Sequence, residues 1–268
     1  PEKIAREHAD PVALHDPVQY AGAEAARALT RIDLSAARQV MASYLPLLQN
    51  QDVQVRRNAC SVLASLGPVA KPAVPALVAL LDDPDDLVRD RAVDALAMIG
   101  LPAKTVLSAV TRALEDQTAF VRYTATRHFA FTLTPPPDSW PLLRRLMNDR
   151  DKGVASLARS ALDRAMREPA PKASVYAQMI GMKTSTGYAL QQLAMLGPEA
   201  AEALPALVPV LQDEQALHRY LAVETLGAIG PPAAAAVPAL TTLLTDEEAV
   251  VRESAAEALA SIGGTEPS

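Results

Sequence analysis

The side chains most often recruited for chemistry are scarce in this chain, and none stands in a reactive pattern. Its histidines are His8, His15, His128 and His218, and none is followed by Glu. Cys60 is the single cysteine, so neither an internal disulfide nor a thiolate metal cluster can form within the chain. No Gly-rich phosphate loop is present, and spacing supports no Ser-His-Asp arrangement. The expectation is a protein that is not an enzyme and carries no cofactor and no metal. Recognition is better represented. Tyr123, Arg127 and Phe131 recur at i, i+4 and i+8, which places them on one helix face. Tyr and Arg are the side chains that most often anchor interfaces, each worth about 2 kcal/mol or more at a hot spot.

The elements that must carry these residues are set by a repeat. Arg56, Arg89 and Arg122, continued by Ala155, Thr186, Arg219 and Arg252, stand 33, 33, 33, 31, 33 and 33 residues apart. Three positions after every anchor is an alanine: Ala59, Ala92, Ala125, Ala158, Ala189, Ala222 and Ala255. Seven after it come Leu63, Leu96, Phe129, Leu162, Leu193, Leu226 and Leu259. Together with the residues one before and ten after, these fall on one face of a 3.6-residue helix. Gly67, Gly100, Gly197, Gly230 and Gly263 follow as helix caps, replaced by Leu133 and Met166 in the middle of the chain. Between these helices lie AVPALVALL (73–81), ALPALVPVL (203–211) and AVPALTTLL (236–244). Their prolines, like Pro141, belong in a first turn or at a kink. Each unit is therefore a helical hairpin that buries its apolar face only by stacking on its neighbours.

GPVAKPAVPALVALLDDPDDLVRDRAVDALAMIG (67–100) and GPPAAAAVPALTTLLTDEEAVVRESAAEALASIG (230–263) carry a resemblance to the HEAT repeat, in the short bacterial form also found in phycobilin-lyase-like proteins. The resemblance covers roughly residues 34–263, most clearly at both ends. It implies an all-α, right-handed α-α superhelix, a solenoid of about seven to eight helical hairpins. Residues 1–33 would be a degenerate N-terminal cap, 34–132 regular repeats, 133–185 irregular basic repeats, and 186–268 regular acidic repeats of one continuous solenoid. It also implies that second helices line a concave surface and that the recurrent Arg with Asp52, Asp85, Asp86 and Asp246 forms an inter-repeat polar ladder. At ~8–10 Å per helix layer, the open arc would be some ~60–70 Å long.

Enzymatic relatives of this architecture need features that the chain lacks. Di-iron hydroxylases of the deoxyhypusine type need recurring His-Glu pairs, and the DNA-glycosylase type needs several concave tryptophans in a basic groove. Here Trp140 is alone and occupies a slot held elsewhere by Val74, Leu204 and Val237, so it is expected to pack. No residue set identifies lyase chemistry.

On the second helices, the positions one, five and nine after each anchor oppose the buried face. They hold Tyr123, Arg127 and Phe131, and also Arg164, Tyr220 and Glu224. These six are the candidate partner-binding residues. A structural alternative stands beside that reading: prolines 135–137 follow directly, so Phe131 would instead cover a bend between two half-solenoids. His128 lies on the flank of the packed face as a hydrogen-bonded structural histidine, and Phe129 is the core residue.

Charge is unevenly distributed. Residues 120–172 hold ten Lys/Arg against five acids, whereas 190–268 hold two Arg against eleven acids. Such polarity favours a partner with opposed patches, or head-to-tail self-association. The net charge of −6 argues against general nucleic-acid binding. Half the residues are hydrophobic but 4% are aromatic, which favours close-packed helices. No apolar run approaches ~18–20 residues free of charge, so no membrane span is expected. A cytoplasmic setting is expected, and the start at Pro1 is compatible with a trimmed form or with one domain of something longer. The leading expectation is a non-catalytic scaffold that holds a protein or peptide on its concave face. The alternatives are nucleic-acid or phosphate binding through the central basic segment, a lyase-like protein handling a chromophore, and a structural domain of a larger protein.

Overall fold

The computed structural model describes residues 26–28, 30, 33–101, 103–167, 173–181 and 185–263, and among them every regular element is helical. Of the expected N-terminal cap, residues 1–25 and most of 29–32 lie outside the described residues. The α-helices run, in chain order, as α1 (Leu34–Tyr44), α2 (Val53–Leu66), α3 (Val74–Ala79), α4 (Asp86–Ile99), α5 (Ala103–Ala113), α6 (Ala119–Phe131) and α7 (Trp140–Leu146). They continue as α8 (Lys152–Arg167), α9 (Ala173–Met179), α10 (Thr186–Leu196), α11 (Leu204–Val210), α12 (Ala216–Ile229), α13 (Val237–Thr242) and α14 (Ala249–Ile262). The even-numbered helices carry the repeat anchors and are the second helices of the hairpins.

Each boundary has a local cause. Asp33, Asp52 and Asp85 are N-caps whose carboxylates accept from the amides of Ala36, Gln54 and Val88. At Gly67, Gly100, Gly197 and Gly230 φ is positive, between 56° and 70°, which a side-chain-bearing residue rarely adopts. There the chain leaves a second helix and turns into the next hairpin. Pro75, Pro141, Pro205 and Pro238 all sit in the first turn of α3, α7, α11 and α13, where no amide is missed. Most of these first helices are short and flanked by 3₁₀ turns, as in Gly67–Ala73, Val74–Ala79 and Leu80–Asp82.

By composition and length alone, the continuous helical stretches Val53–Asp82 and Thr186–Val210 are apolar enough to cross a membrane, although Lys71 and Glu199 interrupt their apolar runs. Neither is a straight rod, because each turns at a positive-φ glycine, Gly67 or Gly197. Their apolar residues serve hairpin packing.

The core follows the repeat. The alanine three after each anchor is fully buried in all seven repeats, and Leu63, Leu96, Phe129, Leu193 and Leu226 are buried beside it. Arginine forms the ladder. Arg56, Arg89, Arg122 and Arg219 each grip a carboxylate 27 residues further on, at Asp83, Asp116, Asp149 and Asp246, with Nε–O distances of 2.8 Å. The same guanidinium donates back to carbonyls of its own loop, such as Asp83 for Arg89 and Asp213 for Arg219. Of the acids expected in this ladder only Asp246 takes part in that way. Asp52 caps its helix instead, and Asp85 both caps α4 and pairs with Arg57, the neighbour of the anchor one repeat earlier, rather than with Arg56 itself.

The ladder also marks where the stacking changes. Second helices pack in succession as α2–α4–α6–α8 and as α10–α12–α14, but α8 and α10 do not extend that row. At those two repeats the anchors are Ala155 and Thr186, which carry no guanidinium. Helix α10 packs instead on α5, and α14 packs on α1. The solenoid thus bends back, and its two stacks meet rather than forming an open arc.

Candidate recognition surface

Helix α6 supplies the aromatic–basic row. Its residue Arg122 is fixed by Asp149, and Phe129 and Ala125 are buried, so the helix rotation is set and the opposite face must turn outward. Tyr123 leans across to α8, where a Cβ on Gly153 would lie 3.1 Å from its Cε2 atom. Its ring is half-buried, so Gly153 makes room for it. Arg127 keeps 43% of its side chain exposed while its Nη2 donates to Asp94 Oδ1 on α4 at 2.9 Å. Phe131, at the end of α6, is 68% exposed and the most exposed large hydrophobic among the described residues. Arg164 of α8 donates to the carbonyl of Leu133, tying the chain after α6 to the next second helix.

Beneath this row is a buried polar cluster between α4 and α6. His128 Nε2 lies 2.9 Å from Asp94 Oδ1, with Arg127 Nη2 3.5 Å from the same nitrogen. Burial pushes the Asp94 carboxyl up, but the His128 hydrogen bond and the charges of His128 and Arg127 outweigh it and hold the group below the usual carboxylate range. One turn earlier, Asp90 accepts from the Thr124 hydroxyl and is almost fully buried. That burial pushes its carboxyl up to about 6. His128 is buried and bonded to Asp94, the structural place that its flank position implied. Trp140 packs against the core and donates through Nε1 to the carbonyl of Pro135.

The six candidate residues therefore separate. Tyr123, Arg127, Phe131 and Arg164 lie on neighbouring helices α6 and α8, with Phe131 and Arg127 open to solvent. Tyr220 and Glu224 do not share that surface and are not open. Tyr220 is 3% exposed, and its hydroxyl donates to the carbonyl of Pro68, 3.0 Å away and 152 residues earlier. Glu224 is covered by Lys71, whose Nζ lies 2.9 Å from it and 3.2 Å from Glu257. The reason is the bend: the outward face of α12 and α14 is met by the turn at 67–75. Arg38 of α1 pairs with Glu253 at the same seam.

Lys71, Arg38, Glu253 and Glu257 are functional candidates that sequence spacing did not single out. One signal was present. Lys71 stands where the parallel turns hold Ala201 and Ala234, and Glu224 and Glu257 are one repeat apart. Among the described residues no group of three or more His, Cys, Asp or Glu is placed to hold a metal.

A family model of HEAT repeats matches residues 11–97, 42–130 and 186–260. The chain belongs to the HEAT-repeat family. The internal stretch left unmatched, 131–185, contains the place where this HEAT solenoid interrupts its row of second helices. No curated protein matches it. Among solved structures, an engineered protein is similar at 21% identity and a TM-score of 0.41, over 84% of this chain and 97% of that one. A designed armadillo repeat protein is similar at 22% identity and a TM-score of 0.38, over 83% and 99%. A chain from the structure of Kap95p with RanGDP is similar at 16% identity and a TM-score of 0.43, over 91% of this chain and 38% of that one.

Proposed function

We propose that this HEAT solenoid is a non-catalytic scaffold that binds a protein or peptide across α6 and α8. Phe131 and Arg127 make the contact, and Tyr123 and Arg164 hold the surface in shape. The observation that carries this is the 68% exposure of Phe131 beside a half-open Arg127. Leaving a phenyl ring in water forgoes about 1.5–3 kcal/mol of burial, which a partner's apolar group would recover. Tyr123 is fixed against Gly153 and Arg127 is held by Asp94, so neither must be ordered when a partner arrives, and pre-organisation lowers the cost of binding.

The basic character of 120–172 gives less support to nucleic acid than the sequence count suggests. Arg122 and Arg145 are already paired with Asp149 and Glu115, and Arg164 with a carbonyl. Affinity purification with the wild-type chain beside Phe131→Ala tests the proposal. A partner retained by the wild type and at least tenfold depleted on Phe131→Ala, with equal helical content and melting temperature, is expected. Equal retention by both chains would refute the assignment of this surface.

A further inference from the structure

The outward face of α12 and α14 is occupied by the chain itself, and the occupant is basic. Lys71 lies in the sequence GPVAKPAVP (67–75), with prolines on both sides. Its Nζ sits between Glu224 and Glu257, which stand five residues after consecutive repeat anchors. One turn earlier on the same helices, Tyr220 donates to the Pro68 carbonyl, while Glu253 pairs with Arg38. The face therefore reads a lysine through two carboxylates, a neighbouring main-chain carbonyl through a tyrosine, and a second basic side chain through a third carboxylate.

The seam is flanked by clefts open to solvent. Their volumes are about 370 and 510 Å³, and both border Lys71, Glu224, Ser254 and Glu257. Glu253 and Glu257 keep more than half of their side-chain surface exposed in spite of their partners. At the seam Glu224, Glu253 and Glu257 meet Lys71 and Arg38, three carboxylates to two cations.

We infer that the face of α12 and α14 is a second binding site, for a lysine-bearing, proline-flanked segment of another protein, and that Lys71 holds it shut as an internal stand-in. A partner lysine displaces it by taking its place between Glu224 and Glu257, the second of which stays more than half exposed. Lys71 and the incoming lysine compete for the same pair of glutamates, so binding and opening are one event.

The probe is a fluorescein-labelled peptide of sequence GPVAKPAVP, titrated against the full chain by fluorescence anisotropy. In Arg38→Ala/Lys71→Ala the stand-in is removed and Glu224 loses its buried partner. The peptide is expected to bind this chain at least tenfold more tightly than the wild type. Adding Glu224→Gln and Glu257→Gln is expected to return affinity to the wild-type level or below, with circular dichroism showing each chain helical. Equal affinity for the wild type and the double variant would overturn the inference, as would binding that survives loss of both glutamates. If the double variant becomes a dimer by light scattering and the peptide does not dissociate it, the occupant is a second copy and the inference of a separate partner fails. A Phe131→Ala chain is expected to bind the peptide as the wild type does, so this site and the surface on α6 and α8 stand or fall separately.

Discussion

Lys71 and Glu224 are 153 residues apart in the chain and 2.9 Å apart in space. Their contact joins the two helical stacks and covers a face that the repeat pattern alone places in solvent. Burial lowers the basicity of the Lys71 ammonium, but Glu224 and then Glu257 outweigh that and raise it above its ordinary value. A lysine held in this way adds stability that is complete below about pH 10.4 and fades as pH rises beyond it. Lys71→Ala leaves the Glu224 carboxylate buried without its partner. It is expected to cost about 1–3 kcal/mol in urea unfolding, and adding Glu224→Gln is expected to recover most of that loss.

The arginine ladder gives a contrast between a covered and an open pair. Arg89 is 5% exposed and grips Asp116, the Thr118 hydroxyl and the carbonyl of Asp83. Arg89→Ala strands Asp116 and is expected to cost about 3–5 kcal/mol. Arg112 pairs with Asp82 at an exposed site, and Arg112→Ala is expected to cost less than about 1 kcal/mol. Chemical denaturation of both variants measures the difference.

Asp90 sets a pH dependence of unusual sign. Burial is the main cause of its rise to about 6, opposed by the Thr124 hydrogen bond and by Arg91 and Arg127, and reinforced by Asp94. Between about pH 4 and 6 the folded chain binds a proton at Asp90 that the unfolded chain has released, so this group's contribution falls as pH rises. Asp116, Asp149 and Asp246 are held below the ordinary carboxylate range, with Arg partners outweighing burial at Asp116 and Asp246 and leading the causes at Asp149. They add stability above about pH 4 that is lost as pH falls through their folded values. Asp90→Asn is expected to raise stability at pH 8 by about 1–3 kcal/mol and to have little effect at pH 4. Thermal melts across that range read the difference directly.

Gly153 is the gap into which Tyr123 fits. A Cβ there would stand 3.1 Å from both the Tyr123 ring and the Asp151 carboxylate, and the ring is the bulkier obstacle. Gly153→Ala is expected to cost about 1 kcal/mol through overpacking. It should also weaken binding at the α6–α8 surface without touching Phe131. A thermal melt combined with the partner-binding assay checks both effects.

The sequence made the hairpins legible because their determinants are local. Anchors 33 residues apart, the invariable alanine, the prolines of the first turns and the positive-φ glycines each act within a few residues of themselves. Phe131 was legible for the same reason, since helix rotation follows from Phe129 and Ala125. The identity of the ladder acids was not, because Asp83 and Asp85 differ by two positions and only the turn geometry decides which one meets Arg56 and which one caps α4. Tyr220 and Glu224 were misplaced on an open face because their covering residues, Pro68 and Lys71, are about 150 residues distant. A repeat pattern specifies each hairpin's neighbour but carries no information about a bend that depends on where the ladder stops, at Ala155 and Thr186.

The two stacks close on each other and so hide the face of α12 and α14, while the α6–α8 row stays open. Arg38 and Glu253 lie on the opposite arms of the closure and are in contact. Dyes placed at their exposed neighbours Gln39 and Ala256, in a chain whose own Cys60 is buried, report the distance by resonance energy transfer and leave the pair intact. High transfer efficiency in the native chain, falling to a low value in urea, is the expected result. Low efficiency in the native, fully helical chain, matching an open arc some ~60–70 Å long, would contradict the closure and return Tyr220 and Glu224 to solvent.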